Sequence, residues 1–234
     1  MEPNAMRAIT ILGATGPTGT LVTRQLTAEG ATVIAVMRSA DRQAEFEALG
    51  ARVILADAMD RDSLFPALEK AAQSTDTLLN LLGGNPFQPP ESWPDREGVM
   101  NTTDAAIAAG FRRYILVTSV GTGASWEFVP SDAYIRPILE LKSAAEEHLK
   151  TTSLDWTIIK PGGLGPPDYR IKRGNPLITE NHGVRGLIDR EDLAAVITRV
   201  LAAPPPSVLH RELYAVVDRL EEHAGSAEPF PLPV

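Results

Sequence analysis

The first residues able to do chemistry are a run of glycines and threonines, Gly13-Ala14-Thr15-Gly16-Pro17-Thr18-Gly19, in G-x-x-G-x-x-G spacing. The run follows an apolar, β-branched stretch and precedes a segment of helical period, and that strand–turn–helix context is what gives a glycine pattern meaning. Gly13 permits the tight turn, Gly16 lets backbone approach a pyrophosphate, and Gly19 lets the helix pack close to the strand. Amides at the helix start, at the positive end of its dipole, then hold the phosphates. Thr15 and Thr18 can add hydroxyl donors. The chemistry expected of Gly13, Thr15, Gly16, Pro17, Thr18 and Gly19 is therefore the binding of a dinucleotide.

Two later positions bear on which dinucleotide. The second apolar run ends Val36-Met37-Arg38-Ser39, with Arg42 shortly after. An NAD site usually sets an acid here to accept the ribose hydroxyls. Arg38 instead offers paired N–H donors to a 2′-phosphate, so Arg38, Ser39 and Arg42 are expected at the adenosine ribose and NADP is the expected cofactor. The alternative for Arg38 is a solvated surface arginine. Asp41 reads as a helix N-cap. Asp57-Ala58 closes the third run, where the adenine would lie. Asp57 could accept from the exocyclic amine or cap the turn that follows.

These loops need elements to hold them. Arg7–Leu12, Thr32–Met37, Arg52–Leu55, Thr77–Leu82, Tyr114–Thr118, Trp156–Lys160 and Glu212–Val217 read as strands. Helical period appears at Thr18–Glu29, Asp41–Leu49, Asp62–Ala72, Arg96–Ala109, Pro137–Thr151 and Arg190–Ala202, with Gly30, Gly50 and Gly110 just past three of these ends. Alternation of helices with almost continuously apolar strands predicts an α/β fold: a doubly wound, Rossmann-like parallel sheet covered on both faces. Its ligand crevice lies at the C-terminal ends of the strands. A single domain over residues 1–227 is expected, with the segment 161–186 covering the substrate end and 228–234 as an extended proline-rich tail.

Composition narrows the function classes. Among 234 residues, 22 Lys and Arg stand against 30 Asp and Glu, a formal charge of −8. That balance argues against nucleic acid as a partner, because phosphate binding needs a clustered basic surface. The absence of cysteine excludes disulfides, thiolate zinc sites and a cysteine nucleophile. His148, His182, His210 and His223 show no metal-ligand spacing, so no metal is expected. No apolar run approaches the ~18 residues a membrane span needs, and Met1 to Met6 carry no secretory signature. The expectation is a cytoplasmic protein acting on a small molecule, as a monomer or homodimer.

Longer blocks carry a resemblance. GATGPTG at 13–19, Asp57-Ala58, AAGFRRYILVTSVG at 108–121, Lys142 with Ala145-Glu146, LDWTIIKPGGL at 154–164 and GLIDREDLA at 186–194 resemble the atypical short-chain dehydrogenase/reductases. The similarity is to their NAD(P)H-binding, NmrA-like branch, which includes biliverdin reductase B and flavin reductase. The resemblance implies that Ser119 is the active-site serine and that Lys142 holds the nicotinamide ribose. It also implies that Leu82 and Gly83 run along the cofactor, and that Pro161, Gly162, Gly163 and Leu164 contact the carboxamide.

The departure from that family is as informative as the match. Typical members carry Tyr-x-x-x-Lys, and four residues before Lys142 stands Ile138. The phenol, its pKa lowered by the lysine, ordinarily passes a proton to or from a substrate oxygen; Ile138 cannot. Carbonyl–alcohol interconversion is thereby disfavoured, but hydride transfer is not, since flavins, quinones or conjugated tetrapyrroles delocalise the added electrons and can draw a proton from solvent. Pro137 fits as the first residue of its helix, leaving Tyr134 in the preceding loop as a catalytic acid, a substrate-lining residue or packing. His182, in the segment 161–186, reads as a polar loop residue or a general acid. Trp93 and Trp126 could stack on a flat substrate or anchor their loops. The readings that remain are an NADPH-dependent reductase of a planar or conjugated acceptor, a non-catalytic NADP(H)-sensing regulator, and a redox-neutral isomerase or epimerase on the same scaffold.

Overall fold

Four positions of β1 (Ile9–Leu12) are buried in succession, as are all of β2 (Val33–Met37), β4 (Thr77–Asn80) and β5 (Arg113–Val117). Strands that are apolar on both faces can be buried only within a sheet covered from both sides, and the computed structural model shows that sheet. It describes residues 8–84, 88–89, 92–131, 133–164, 173–222 and 229–230. With β3 (Arg52–Leu55), β6 (Asp155–Pro161), β7 (Leu177–Thr179) and β9 (Arg211–Val216), the order is β3-β2-β1-β4-β5-β6-β9-β7. Leu12 pairs with Val36 on one side and Asn80 on the other. The strand order reverses there, between β1 and β4, where such folds open their crevice.

The sheet is parallel except at one edge, where β7 runs antiparallel to β9. The doubly wound, Rossmann-like parallel sheet is as expected, and this edge strand puts residues 177–179 of the segment 161–186 into the sheet. A second pair, β8 (Val184–Leu187) with β10 (Asp218–Glu222), stands beside it. Residues 165–172 of that segment lie outside the described residues. So do 1–7 and, from the proline-rich tail, 228 and 231–234. At Phe230 the chain meets the sheet: its amide donates to the Ile178 carbonyl at 2.6 Å and its ring packs against the core.

One face of the sheet carries α1 (Pro17–Ala28) and α6 (Arg190–Ala202), which pack together through Val22 and Leu26 against Leu193 and Ile197. The other carries α3 (Arg61–Ala72), α4 (Glu97–Ala109) and α5 (Arg136–Lys150), with Leu64, Leu68, Val99, Ala106 and Leu149 in one cluster. Truncating one of these buried leucines, or Ile197, to Ala is expected to cost about 2–5 kcal/mol. Two short helices, α2 (Gln43–Ala48) and α7 (Pro205–Val208), join the longer ones. Local signals set the ends. Asp60 and Asp189 cap α3 and α6 by accepting from Asp62 and Glu191 amides, and Gly110, at φ 84°, closes α4 in a left-handed turn. Among the described residues no helix is long and apolar enough to cross a membrane.

Candidate cofactor and active site

β1 delivers the chain to Gly13 at φ 74°, where an added Cβ would lie 2.7 Å from the Leu81 carbonyl. The Gly16 amide closes the turn on the Gly13 carbonyl at 3.1 Å. At Gly19 a Cβ would fall 2.3 Å from the Gly13 oxygen and 2.7 Å from that of Ala14, so the helix start is pressed onto the turn. α1 begins with Pro17 and has neither a side-chain cap nor an acid in its first turn. α3 and α6 have both. The open amides of α1 and its uncompensated dipole therefore suit a pyrophosphate. Thr15 and Thr18 are half-buried, and their hydroxyls make no hydrogen bond among the described residues. Thr20, which the motif does not include, buttresses the loop by donating to the Gly16 carbonyl at 3.0 Å.

At the adenosine end the two arginines differ. Arg38 is exposed, with no hydrogen bond or ion pair among the described residues. Arg42 is committed: Nη1 donates to the Thr15 carbonyl at 2.5 Å, while Nε and Nη2 grip Glu45 at 2.7 and 2.5 Å. Arg42 thus braces the phosphate loop rather than standing free. Ser39 donates to Asp41 at 2.8 Å. α2 starts only after Arg42, so Asp41 is not its N-cap, contrary to expectation; its carboxylate accepts from Ser39 instead. Asp57 takes its turn-capping role, accepting from the Met59 amide at 2.9 Å, and Ala58 is buried beside it.

The residues expected at the nicotinamide come from several elements. Leu82 and Gly83 follow β4, and the Leu82 amide donates to Asn80 Oδ1 at 2.9 Å. Asn80 in turn donates to Tyr114 Oη at 2.8 Å, and burial pushes that phenol up to about 12. Lys142, in the second turn of α5, places Nζ 2.7 Å from Asp95 Oδ1. The Asp95 side chain is wholly buried, and its other oxygen accepts from the Gly84 amide at 2.6 Å. A Cβ on Gly83 would lie 3.5 Å from that ammonium. Ile138 is buried, so the position one turn before the lysine is apolar. Tyr134 sits 76% exposed in the turn ahead of α5, with no hydrogen bond among the described residues.

Ser119, just after β5, is half-buried with its hydroxyl unbonded among the described residues, while its carbonyl accepts from Thr122 at 2.8 Å. Pro161 ends β6, and the Gly162 and Gly163 amides donate to the Ala215 and Gly186 carbonyls, each at 2.9 Å. A Cβ on Gly162 would meet the Gly186 oxygen at 2.4 Å, so this strand end lies flush against β8. The Leu164 carbonyl accepts from Arg190 at 3.2 Å. Trp93 is buried against Gly84, and Trp126 lies under the Arg136 guanidinium, 4.0 Å away; both anchor loops. His182 is exposed, stacked on Phe128 and 3.8 Å from Glu127.

Beneath Ser119 and a 3-10 helix at Gly123–Phe128 lies an ionic group that the sequence reading missed. Lys160 and Glu146, both fully buried, pair at 2.9 Å. Lys160 also meets Glu212 at 2.8 Å, and Glu212 pairs with Lys150. Thr122 donates to Glu146 at 2.6 Å, tying the Ser119 loop to the group. Burial by itself would raise the Glu212 carboxyl, but Lys160 and Lys150 outweigh it and hold it below the usual carboxylate value. One signal was available: Lys160 is a cation at the end of the apolar run Thr157-Ile158-Ile159. A buried charge needs a partner. Asp95 gave no such sign.

A doubly wound sheet with an open phosphate loop at its switch point, a strand-end arginine and an anchored lysine across the crevice describes a nicotinamide-dinucleotide-binding protein. The NAD(P)H-binding family matches residues 13–204, and the chain belongs to that family. An uncharacterized chloroplastic protein of Arabidopsis thaliana is 26% identical over 90% of this chain and 82% of its own length. An uncharacterized sugar epimerase of Bacillus subtilis is 27% identical over 70% of this chain and 72% of its own. The anaerobilin reductase ChuY of Escherichia coli O157:H7 matches in structure with a TM-score of 0.76 at 29% identity, covering 89% of this chain and 96% of that one. The resemblance to the atypical short-chain dehydrogenase/reductases is borne out.

Proposed function

We propose that the protein is an NADPH-dependent reductase that passes hydride to a small planar or conjugated acceptor of the flavin, quinone or enone type, without a tyrosine acid. The observation that carries this reading is the contrast one turn apart on α5. Lys142 is held by an ion pair at the cofactor edge, while the position of the usual acid is the buried Ile138.

The amides at the start of α1, with Thr15 and Thr18, hold the pyrophosphate. Arg38, unpaired with any acid among the described residues, meets the 2′-phosphate, with Ser39 and the braced Arg42 beside it. Asp57 and Ala58 border the adenine. Leu82, Gly83 and Lys142 hold the nicotinamide ribose, and Pro161 to Leu164 hold the carboxamide. Ser119 orients the acceptor or the carboxamide through its free hydroxyl. Bound there, the reduced nicotinamide supplies a hydride. The chain's part is to fix distance and face, while solvent returns the proton. Tyr134 borders the acceptor's approach.

Support comes from ChuY, a named reductase at 29% identity. A second reading, a redox-neutral epimerase, is favoured by the Bacillus subtilis relative, but it asks for the proton transfer that Ile138 cannot perform. Loss of NADPH absorbance against FMN, a quinone and an enone tests the proposal, with turnover of at least one expected. Tight NADPH binding with no turnover of any acceptor would sink the reductase in favour of a sensing regulator. Product formed without net NADPH consumption would favour the epimerase.

A further inference from the structure

We infer that Asp95 is a positioning residue for Lys142, fixing its ammonium at the cofactor edge in place of the orientation a tyrosine at position 138 would help to give. The inference rests on the reading of Lys142 as the group that holds the nicotinamide ribose.

Asp95 has no accessible side-chain surface, and its two oxygens are divided between two elements. Oδ1 faces Lys142 Nζ of α5 at 2.7 Å, and Oδ2 accepts from the Gly84 amide, just after β4, at 2.6 Å. The first is an ion pair and the second a charge-assisted hydrogen bond, the short and strong kind. Asp95 itself stands immediately before α4. One carboxylate therefore locks three segments to each other: the residues after β4, α5 and the approach to α4.

The lysine needs such a holder. Its ammonium rides on a flexible four-carbon stem that loses much rotamer freedom when fixed. On its own helix it finds no help: Ile138 one turn back is apolar, and Glu146 one turn on is spent on Lys160 and Thr122. Asp95 is the one carboxylate that meets Lys142 among the described residues. The held ammonium borders Gly83, where an added Cβ would lie 3.5 Å from Nζ and 3.8 Å from Asp95 Oδ1. A group held in place before the ligand arrives binds it better than one that must be ordered on arrival.

A positioning role and a merely structural one make different predictions in a double-substitution cycle. NADPH affinity is measured by nicotinamide fluorescence in the wild type, Asp95→Asn, Lys142→Met and the double variant. The substituted side chain in Asp95→Asn would keep the Gly84 contact through its amide oxygen and lose only the charge. Asp95→Asn is expected to weaken NADPH about tenfold, the scale of one charge-assisted hydrogen bond. In the Lys142→Met background it is expected to weaken it no further. Equal losses in both backgrounds, or no loss from Asp95→Asn alone, would overturn the inference.

Melting temperature supplies an arm that survives a poorly folding single variant. Lys142→Met strands a buried carboxylate and is expected to lower Tm, and adding Asp95→Asn is expected to restore part of it. A double variant less stable than Lys142→Met alone would count against the pairing. Neither arm needs turnover. Failure to find an acceptor therefore leaves the inference standing, whereas a wild type that does not bind NADPH overturns both the inference and the reading beneath it.

Discussion

At the phosphate end of the crevice, the groups that would meet a ligand are backbone amides arranged by glycines within residues 13–19, one uninterrupted stretch of sequence. At the other end, where Lys142 lies, the structure is held instead by ion pairs between side chains from separate elements: Lys142 of α5 to Asp95 ahead of α4, and Lys160 of β6 to Glu146 of α5 and Glu212 of β9. The first kind of site is fixed by where a Cβ has no room. The second is fixed by charge balance in places without water. The two should fail in different ways: the phosphate end by steric exclusion, the nicotinamide end by an uncompensated charge.

The largest effect is expected at Gly19. A Cβ there would lie 2.3 Å from the Gly13 oxygen, a backbone atom of the very turn that shapes the site. Gly19→Ala should weaken NADPH by about 100-fold or more, roughly 2.7 kcal/mol, measured by fluorescence titration. Gly30→Ala is the control. It has φ 85° but open space around it, so it should cost about 1–2 kcal/mol of stability and leave affinity unchanged. Similar affinity losses in both variants would break the claim that Gly19 acts through shape.

Next comes the buried ionic group. Lys160→Met leaves Glu146 without its cation at a fully buried position, and removing one member of such a pair costs about 3–5 kcal/mol. Thermal or urea unfolding would read the loss. Adding Glu146→Gln should recover part of it, and an additive double variant would refute the pairing. The group also gives a pH signature. Glu212 is held below its ordinary value of 4.5. A carboxylate with a depressed pKa contributes stability above that ordinary value and loses it as pH falls through the folded one. Tm is therefore expected to drop on acidification below about pH 4.5, and Lys160→Met to flatten this limb.

Arg38→Ala probes the phosphate end by charge rather than shape. Arg38 is exposed and has no partner to lose among the described residues, so stability should hold. NADPH affinity should fall about tenfold, the worth of a charged hydrogen bond, with NADH barely affected. Equal effects on the two nucleotides would remove the case for NADP.

The same contrast explains what could be read from sequence. The phosphate loop was legible because its residues are neighbours in the chain and glycine spacing reports backbone shape directly. β2 and β3 were legible as continuous apolar runs. β7 was not, since Leu177–Thr179 is too short to show any period. Nor was β10, whose Asp218-Arg219-Leu220-Glu221-Glu222 reads as polar surface. Asp95, in Trp93-Pro94-Asp95-Arg96-Glu97, looks like a loop acid. Only the packing of α5 against the β4 loop makes it a buried partner. Lys160 announced that some acid must reach it, but choosing among 30 Asp and Glu residues requires the topology.

The smallest effect is expected at Tyr134, and it is the sharpest test of how the nicotinamide end works. If that end depends on side chains locked by buried partners, a phenol that is 76% exposed and unbonded among the described residues has nothing to fix its direction. A general acid must stand within hydrogen-bond reach of the proton's destination, and the acids that raise rates do so by about 100-fold or more. Tyr134→Phe removes only the hydroxyl. It should leave kcat within about twofold and the pH–rate profile unshifted, because solvent supplies the proton. If Tyr134 lines the acceptor's approach as proposed, a Tyr134→Leu variant should raise KM for the acceptor while sparing kcat. Should Tyr134→Phe instead abolish turnover and erase an alkaline limb, the turn before α5 closes over the acceptor, and the tyrosine missing from position 138 acts from 134.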